Sequence, residues 1–188
     1  MDLWLLLLQA IRPKKALQSY GVKTPIYIVP TGIDLSDFLK KNLDAEKIQA
    51  VRQSLGLSDE AHTVVFVGRI AKEKCIEMPI EALSKVKDDN LHLIIVGGGT
   101  DLKFYQNEAK ELGIEERVHF VGKIPREEIP YYYSAFDCFV SASLSETQGM
   151  TYLEALASGL MVFGRRDEVL DGLVEEGKRV ITSMMPKN

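Results

Sequence analysis

Residues 63–67 read Thr-Val-Val-Phe-Val, residues 91–96 read Leu-His-Leu-Ile-Ile-Val, and a glycine follows each run. Near-continuous apolar runs of this length predict strands in a sheet that is covered on both faces. Between them, Ile76, Ile80 and Leu83 recur at the spacing of a buried helix face. The two runs therefore predict a βαβ unit, in which the strands lie parallel.

The same alternation extends in both directions from this unit. Further strands are predicted at 25–29, 117–121, 137–142 and 160–163, and further helices at 48–55, 105–112, 126–134 and 149–158. Repeated strand–helix alternation predicts an α/β fold with a doubly wound, parallel, Rossmann-like sheet.

Composition narrows the class of protein. The 188 residues, 46% apolar and 27% charged, are ordinary for one soluble domain with a short appendage. A formal net charge of -4 lacks the basic surface of a nucleic-acid-binding protein, so no nucleic-acid partner is expected. Cys75 and Cys138 match no metal-binding or redox spacing, which predicts free thiols in a reducing compartment.

An apolar run, Trp4-Leu-Leu-Leu-Leu8, lies near the amino end. It is too short to span a membrane, which takes about 20 apolar residues. We interpret it as a helix from a neighbouring domain. An interfacial contact with a membrane, supported by Arg12, Lys14 and Lys15, is the alternative.

Ligands of open parallel sheets bind at the carboxyl ends of the strands. Four loops are predicted there, and they contain Gly68, Arg69 and Lys74; Gly97 to Gly99; Gly122 and Lys123; and Glu146 to Gly149. Together these loops offer cations, bare backbone and a carboxylate, which suit a ligand with phosphates and hydroxyls. Taken singly, Arg69 and Lys74 could be solvated loop charges, as such residues usually are, and the triple glycine could be only a tight turn. Neither a G-x-G-x-x-G nor a G-x-x-x-x-G-K-[ST] motif is present.

Glu154 lies within the predicted helix 149–158, which is apolar on nearly all sides. An unpaired carboxylate buried there would cost several kcal/mol, so Glu154 needs a buried cation or a bound polyol as its partner. A paired core glutamate without a ligand is the alternative. Free N–H groups at 149–151 would point at an anion lying between Glu146 and Glu154.

Four motifs follow one another along the chain, at 28–34, 67–74, 95–99 and 146–154. Their residues and order resemble the retaining group 1 (family 4) glycosyltransferases. Residues 146–154 resemble the E-x7-E signature of that family, 67–74 its diphosphate-binding loop, and 28–34 and 95–99 two further motifs. The resemblance covers roughly residues 12–178 and implies the C-terminal, donor-binding domain of a two-domain GT-B fold. Residues 1–24 would then be a remnant or linker of a first domain, and residues 25–188 the nucleotide-sugar-binding domain.

The resemblance also implies roles for particular residues. Arg69 and Lys74 would neutralise the donor diphosphate and, with Glu146, form the catalytic set; Glu146 would bind the transferred sugar and Glu154 the ribose. The other implied nucleotide-sugar-binding positions are Gly68 and Gly99, Gly149, Met150 and Thr151 at the phosphates, and Lys123 and Ile124 at the base. No metal ion and no cofactor are implied.

The implied activity is transfer of a hexose, with retention, to a lipid or glycan acceptor. The stretch 145–149 resembles bacterial enzymes that glycosylate membrane lipids, which favours UDP-glucose as donor and a cytoplasmic location at the inner face of the membrane. Residues 177–182 depart from the family pattern, so we expect a truncated chain with little turnover alone. The alternative is a non-catalytic nucleotide-sugar-binding or interaction module.

Overall fold

Strands and helices alternate along the chain in the computed structural model, which describes residues 6–8, 11–29, 32–143, 146, 148–165 and 180–183. The strands are β1 (Leu6–Leu8), β2 (Ile26–Ile28), β3 (His62–Val67), β4 (Leu91–Val96), β5 (Val118–Gly122), β6 (Cys138–Ser141), β7 (Met161–Arg165) and β8 (Val180–Ser183). The helices are α1 (Ile11–Ser19), α2 (Ala45–Ser54), α3 (Glu77–Ser84), α4 (Leu102–Glu111), α5 (Ile129–Ala135) and α6 (Met150–Ala157). The predicted strands and helices from residue 45 onward are confirmed, with ends that differ by up to three residues.

Six of these strands form one parallel sheet in the order β5-β4-β3-β6-β7-β8. The chain moves outward from β3 to β4 and β5, and then returns to the other side of β3 to form β6, β7 and β8. The strand order therefore reverses between β3 and β6. This arrangement confirms the predicted doubly wound α/β fold.

Helices cover both faces of this sheet. Val65 packs with α5 and α6 in one hydrophobic cluster, whereas its neighbour Phe66 packs with α3 and α4 in a second cluster. Successive side chains of a strand point to opposite faces, so a continuous apolar run fills both clusters. Right-handed crossovers explain the division, because the chain adds strands in opposite directions on the two sides of β3.

The junction between β3 and β6 is paired along only part of its length. The register joins Val64 to Cys138 and Val65 to Phe139, whereas β3 and β4 pair along their whole length. At the amino end of the junction, the Asp137 carboxylate accepts hydrogen bonds from Thr63 N (2.8 Å) and Thr63 Oγ1 (2.7 Å). The same hydroxyl accepts a hydrogen bond from Asp137 N at 3.1 Å. These bonds hold β3 and β6 together at the end opposite the carboxyl edge.

The amino-terminal part of the chain differs from the prediction. Leu6–Leu8 forms a strand that pairs parallel to Ile26–Ile28 in a separate two-stranded sheet, with α1 between the two strands. The predicted helix is therefore wrong for Leu6–Leu8, and Trp4 and Leu5 lie outside the described residues. A run of leucines has no periodicity that separates helix from strand, so hydrogen bonding to β2 decides the outcome. The β1-α1-β2 unit extends across the predicted boundary between residues 24 and 25, so this domain boundary stays a prediction.

Helix ends follow local chemistry. The Asp44 side chain accepts a hydrogen bond from Glu46 N at 2.9 Å and so caps the start of α2. The chain turns out of α2 at Gly56, where φ is +68°, as expected for a glycine stop. Pro130 lies in the first turn of α5, where its missing N–H removes no helical hydrogen bond.

Candidate functional site

The reversal of strand order between β3 and β6 creates a crevice outside the carboxyl ends of these two strands. In open α/β sheets such a switch point is where ligands bind. The loop that leaves β3 carries Arg69 and Lys74, and the segment that leaves β6 leads through Glu146 to α6. The fold therefore brings together the two segments that the sequence marked as functional.

The triple glycine supports the loop that leaves β3. Gly68 N donates to Val96 O and Ile70 N donates to Gly98 O, both at 3.0 Å. A Cβ placed on Gly97 or on Gly99 would lie 1.8 Å from the carbonyl oxygen of Gly68 or Ile70, respectively. Glycine is therefore needed here because another backbone segment packs directly on the loop. The packing gives residues 97–99 a structural role beyond that of a tight turn.

Lys74 and Glu146 form an ion pair across the crevice. Lys74 Nζ lies 2.7 Å from Glu146 Oε1, and only 18% and 13% of the two side chains are exposed. Lys74 ends a 3₁₀ turn formed by Lys72–Lys74, which directs its side chain from the β3 side toward the β6 side. A largely buried ion pair stabilises the junction only while both charged groups are present, because loss of one leaves the other buried without a partner.

Arg69 is placed differently from Lys74. Its guanidinium forms an ion pair with Glu73 on the same loop, and 69% of the Arg69 side chain is exposed. A pair this exposed contributes about 0–1 kcal/mol, so the guanidinium is free to change partners. Glu73 was not predicted from the sequence as the partner of this cation.

Glu154 is half-buried on α6, and its protein partner is a tyrosine. The Tyr133 hydroxyl donates a hydrogen bond to Glu154 Oε2 at 3.2 Å. Burial raises the pKa of Glu154, while the Tyr133 hydrogen bond and the charge of Arg126 act to lower it. The sequence predicted a buried cation or a bound polyol as the partner of Glu154; among the described residues, its hydrogen-bond partner is instead the neutral Tyr133 hydroxyl, which satisfies one carboxylate oxygen.

The start of α6 faces the same crevice. Gly149 precedes the helix with φ at +64°, a left-handed conformation that suits glycine. The first hydrogen bond within the helix comes from Tyr152 N to Gly149 O at 3.0 Å. The N–H groups of Met150 and Thr151 are thus outside the helical ladder, as donors at a helix start are.

The loop after β5 adds Lys123 and Ile124. Lys123 is exposed, and its aliphatic stem covers Gly98, where an added Cβ would lie 2.9 Å from Lys123 Cγ. Ile124 is half-buried against the cluster that contains α5 and α6. The loop therefore forms one wall beside the glycine segment.

Two features are absent from the described residues. In the parts of the chain that the structure describes, no group of three or more His, Cys, Asp and Glu side chains is arranged to hold a metal ion. No helix within those same parts has the length and apolar character needed to cross a membrane.

Comparison with solved structures defines the class of fold. The Anabaena protein Alr3699/HepE, solved in complex with UDP and glucose, superposes with a TM-score of 0.83 at 22% identity over 95% of this chain. WaaG, a glycosyltransferase involved in lipopolysaccharide biosynthesis, superposes with a TM-score of 0.76 at 23% identity over 94% of this chain. In both cases the match covers 49% of the other protein. The chain thus has the fold of one half of a GT-B glycosyltransferase.

The sequence comparisons identify the family. The family profile described as "Glycosyl transferases group 1" matches residues 47–184, and the chain belongs to this family. Alpha-monoglucosyldiacylglycerol synthase from Streptococcus pneumoniae is 37% identical over 162 residues, which cover 85% of this chain and 37% of the relative. The synthase of the same name from Acholeplasma laidlawii is 36% identical over 82% of this chain and 39% of its own length. The chain thus spans about two fifths of these relatives.

Sequence reasoning missed Tyr133, which lies on a different helix from Glu154. The available signal was the run Tyr131-Tyr-Tyr133 in a short predicted helix. Helical phase directs one of these side chains into the core, and Tyr133 is the one that is fully buried. Its pairing with Glu154 depends on how α5 packs against α6, which the spacing of the residues does not reveal.

Proposed function

We propose that this chain is the donor-binding half of a hexosyltransferase that uses UDP-glucose, transfers glucose with retention and acts on a lipid acceptor. The names of the two relatives specify a glucosylated diacylglycerol, which favours glucose and a lipid. The complex of HepE with UDP and glucose favours a uridine nucleotide. A glycan acceptor is the second candidate, since WaaG is named for lipopolysaccharide biosynthesis.

The Lys74–Glu146 pair is the observation that carries this proposal. A nucleotide sugar bears a diphosphate and a polyol side by side, and this pair presents a cation and a carboxylate 2.7 Å apart at the switch point. On binding, the Lys74 ammonium would move to a phosphate oxygen. Glu146 would then accept hydrogen bonds from hydroxyls of the sugar.

The surrounding groups complete the proposed binding of the donor. The N–H groups of Met150 and Thr151, following Gly149, would donate to phosphate oxygens, since a helix start favours anions. Glu154 would accept from the ribose hydroxyls. Arg69 would exchange Glu73 for the diphosphate, since its present ion pair is exposed. The remaining proposed positions line the phosphates and the base: Gly68, Gly99, Lys123 and Ile124.

The proposed chemistry is electrostatic. Negative charge collects on the departing diphosphate as the anomeric bond breaks, and Lys74, Arg69 and the start of α6 would stabilise it. We propose front-face attack through an oxocarbenium-like species, which needs no covalent nucleophile from the protein. Neither a metal ion nor an organic cofactor has a step in this scheme.

Titration calorimetry with UDP, UDP-glucose and GDP-mannose tests the proposal. We expect micromolar binding of UDP and UDP-glucose, weaker binding of GDP-mannose, and about tenfold or greater loss of UDP affinity in Lys74→Ala. Lys85→Ala is the matched control, because that lysine is 77% exposed and pairs only loosely with Glu81 at 4.0 Å. The absence of UDP binding at millimolar concentration would refute the proposal and favour an interaction module.

A transfer assay separates binding from catalysis. With UDP-glucose and diacylglycerol vesicles, we expect this chain alone to bind the donor but to transfer little glucose. Rapid transfer at a rate typical of whole enzymes would contradict the expectation that a further domain supplies the acceptor site.

We also propose a peripheral contact with the inner face of the cytoplasmic membrane through α1. Lys15 is exposed and Lys14 half-buried on this helix, and Tyr20, which follows it, is 83% exposed. Cations and an exposed aromatic ring on the same short segment suit an anionic membrane surface. Sedimentation with anionic but not with neutral vesicles, lost in a Lys14→Glu, Lys15→Glu variant, is the expected result. Equal sedimentation of the unchanged chain and this variant with anionic vesicles would exclude α1 as the contact.

A further inference from the structure

We propose that Tyr133 is a positioning residue, whose hydroxyl fixes one oxygen of Glu154 and so presents the other oxygen to a ribose hydroxyl of the ligand. This inference rests on the function proposed above. It assigns to the buried face of α5 a part in nucleotide recognition, although Tyr133 itself need not touch the ligand.

The Tyr133 ring is held in one place by other aromatic rings. It is fully buried, with Phe38 packed edge-on and Phe139 packed at a tilt, both at 5.9 Å between ring centroids. Such aromatic packing restricts the ring to one orientation. The hydroxyl at its end therefore has a fixed position, 3.2 Å from Glu154 Oε2.

The two oxygens of Glu154 have different surroundings. Oε2 accepts the Tyr133 hydrogen bond, whereas Oε1 has no hydrogen-bond partner among the described residues and is not sealed from solvent. A hydrogen bond to one oxygen restricts rotation about the Cγ–Cδ bond, and this also fixes the other oxygen because both belong to one planar group. The free oxygen can accept a hydroxyl hydrogen bond without a search through side-chain rotamers, which lowers the entropic cost of binding.

The hydrogen bond also favours the charged form of Glu154. Burial raises the pKa of Glu154, and the bond from Tyr133 and the charge of Arg126 counter that effect. Burial and the charges of Glu154 and Glu146 hold the pKa of Tyr133 well above its usual range. Tyr133 is therefore protonated, and can donate this hydrogen bond, at neutral and mildly acidic pH. Its removal would raise the pKa of Glu154 further, so that Glu154 would protonate at a higher pH.

The test is the affinity for UDP of Tyr133→Phe, measured by calorimetry between pH 5 and pH 8. We expect about twofold to tenfold weaker binding at pH 8, because the Glu154 carboxylate would then have to be ordered when the ligand binds. We also expect the acid-side loss of affinity to begin at a higher pH than in the unchanged chain. Glu154→Gln should bind UDP weakly, with no such pH dependence.

Tyr105→Phe provides a matched control. Tyr105 is also buried, and its hydroxyl donates to Glu77 at 3.0 Å, but it belongs to α4 on the other face of the sheet. The two variants lose the same group and the same kind of hydrogen bond. We expect Tyr105→Phe to lose stability without losing UDP affinity or shifting its pH profile.

The outcomes separate this inference from the proposed function. No UDP binding by the unchanged chain refutes the function and the inference together. UDP binding that weakens in Glu154→Gln but not in Tyr133→Phe refutes the inference alone, as do equal losses in Tyr133→Phe and Tyr105→Phe. If Tyr133→Phe does not fold, ¹³Cζ-tyrosine spectra of the unchanged chain decide. The Tyr133 signal should move on UDP addition and as Glu154 titrates, and a signal that stays still overturns the inference.

Discussion

Glu146→Gln would leave the Lys74 ammonium without its carboxylate in a largely buried position. At the observed 2.7 Å, the gross Coulomb attraction is ~6 kcal/mol at an effective dielectric constant of 20 and ~1.5 kcal/mol in water. Desolvation of both groups offsets most of the larger value, and the 13% to 18% exposure of the side chains brings in further screening. We therefore expect a coupling energy of about 1–3 kcal/mol between the two residues.

A double-mutant cycle measured by urea unfolding at pH 7 and low salt tests this value. The cycle consists of Glu146→Gln, Lys74→Met and the double variant; each single variant should lose about 2 kcal/mol, or ~4–8 °C in melting temperature. The double variant should lose less than the sum. The exposed Lys85–Glu81 pair at 4.0 Å is the control, with an expected coupling below about 0.5 kcal/mol. Equal coupling in the two cycles would refute the reasoning from burial.

Three further predictions concern backbone conformation and titration. Gly99→Ala should lower the unfolding free energy, measured in urea, by about 3 kcal/mol because the added Cβ would lie 1.8 Å from a carbonyl oxygen. Gly113 has φ at +67° and open space around it, so Gly113→Ala should lower it by only about 1–2 kcal/mol. Equal losses would contradict the packing argument. Cys75 has φ at +50°, a conformation that is strained for any residue except glycine. Cys75→Gly should therefore change the unfolding free energy by less than about 1 kcal/mol, whereas the β-branched Cys75→Val should lower it by about 2 kcal/mol or more. A greater loss for glycine would show that burial of the thiol outweighs this backbone strain. Burial lowers the pKa of both His92 and His119, whose ring nitrogens lie 3.1 Å apart. The folded state therefore binds protons less readily than the unfolded state. The unfolding free energy should decrease as pH falls below about 6.5, and it should decrease less steeply in His119→Gln. A slope that is unchanged in that variant would contradict this assignment.

The larger sheet could be predicted because strands that are buried on both faces consist almost entirely of apolar residues. Residues 63–67 and 91–96 are nearly all apolar, as strands covered by helices on both faces must be. Leu6–Leu8 gives no such indication, since three leucines fit a helix or a strand equally well. Its state depends on Ile26–Ile28, a partner separated from it in sequence by α1.

The location of the site could be predicted more fully than its pairings. The carboxyl-edge rule placed Lys74 and Glu146 in one crevice, and the structure shows them in contact. The hydrogen bond from Tyr133 to Glu154 joins side chains 21 positions apart on two helices. That contact depends on the packing of α5 against α6, which follows from the whole cluster and not from any local spacing.

The bonds between Thr63 and Asp137 have a consequence for the opposite end of the sheet. They fasten β3 to β6 about four residues, or roughly 13 Å, from the crevice. Because these bonds lie at the end of the strands opposite the crevice, we expect them to limit how far β3 and β6 can separate there. A substitution of Thr63 or Asp137 would allow the separation of the two strands at the crevice to vary. The affinity for any ligand bound there would then decrease, although every group that contacts the ligand would be unchanged.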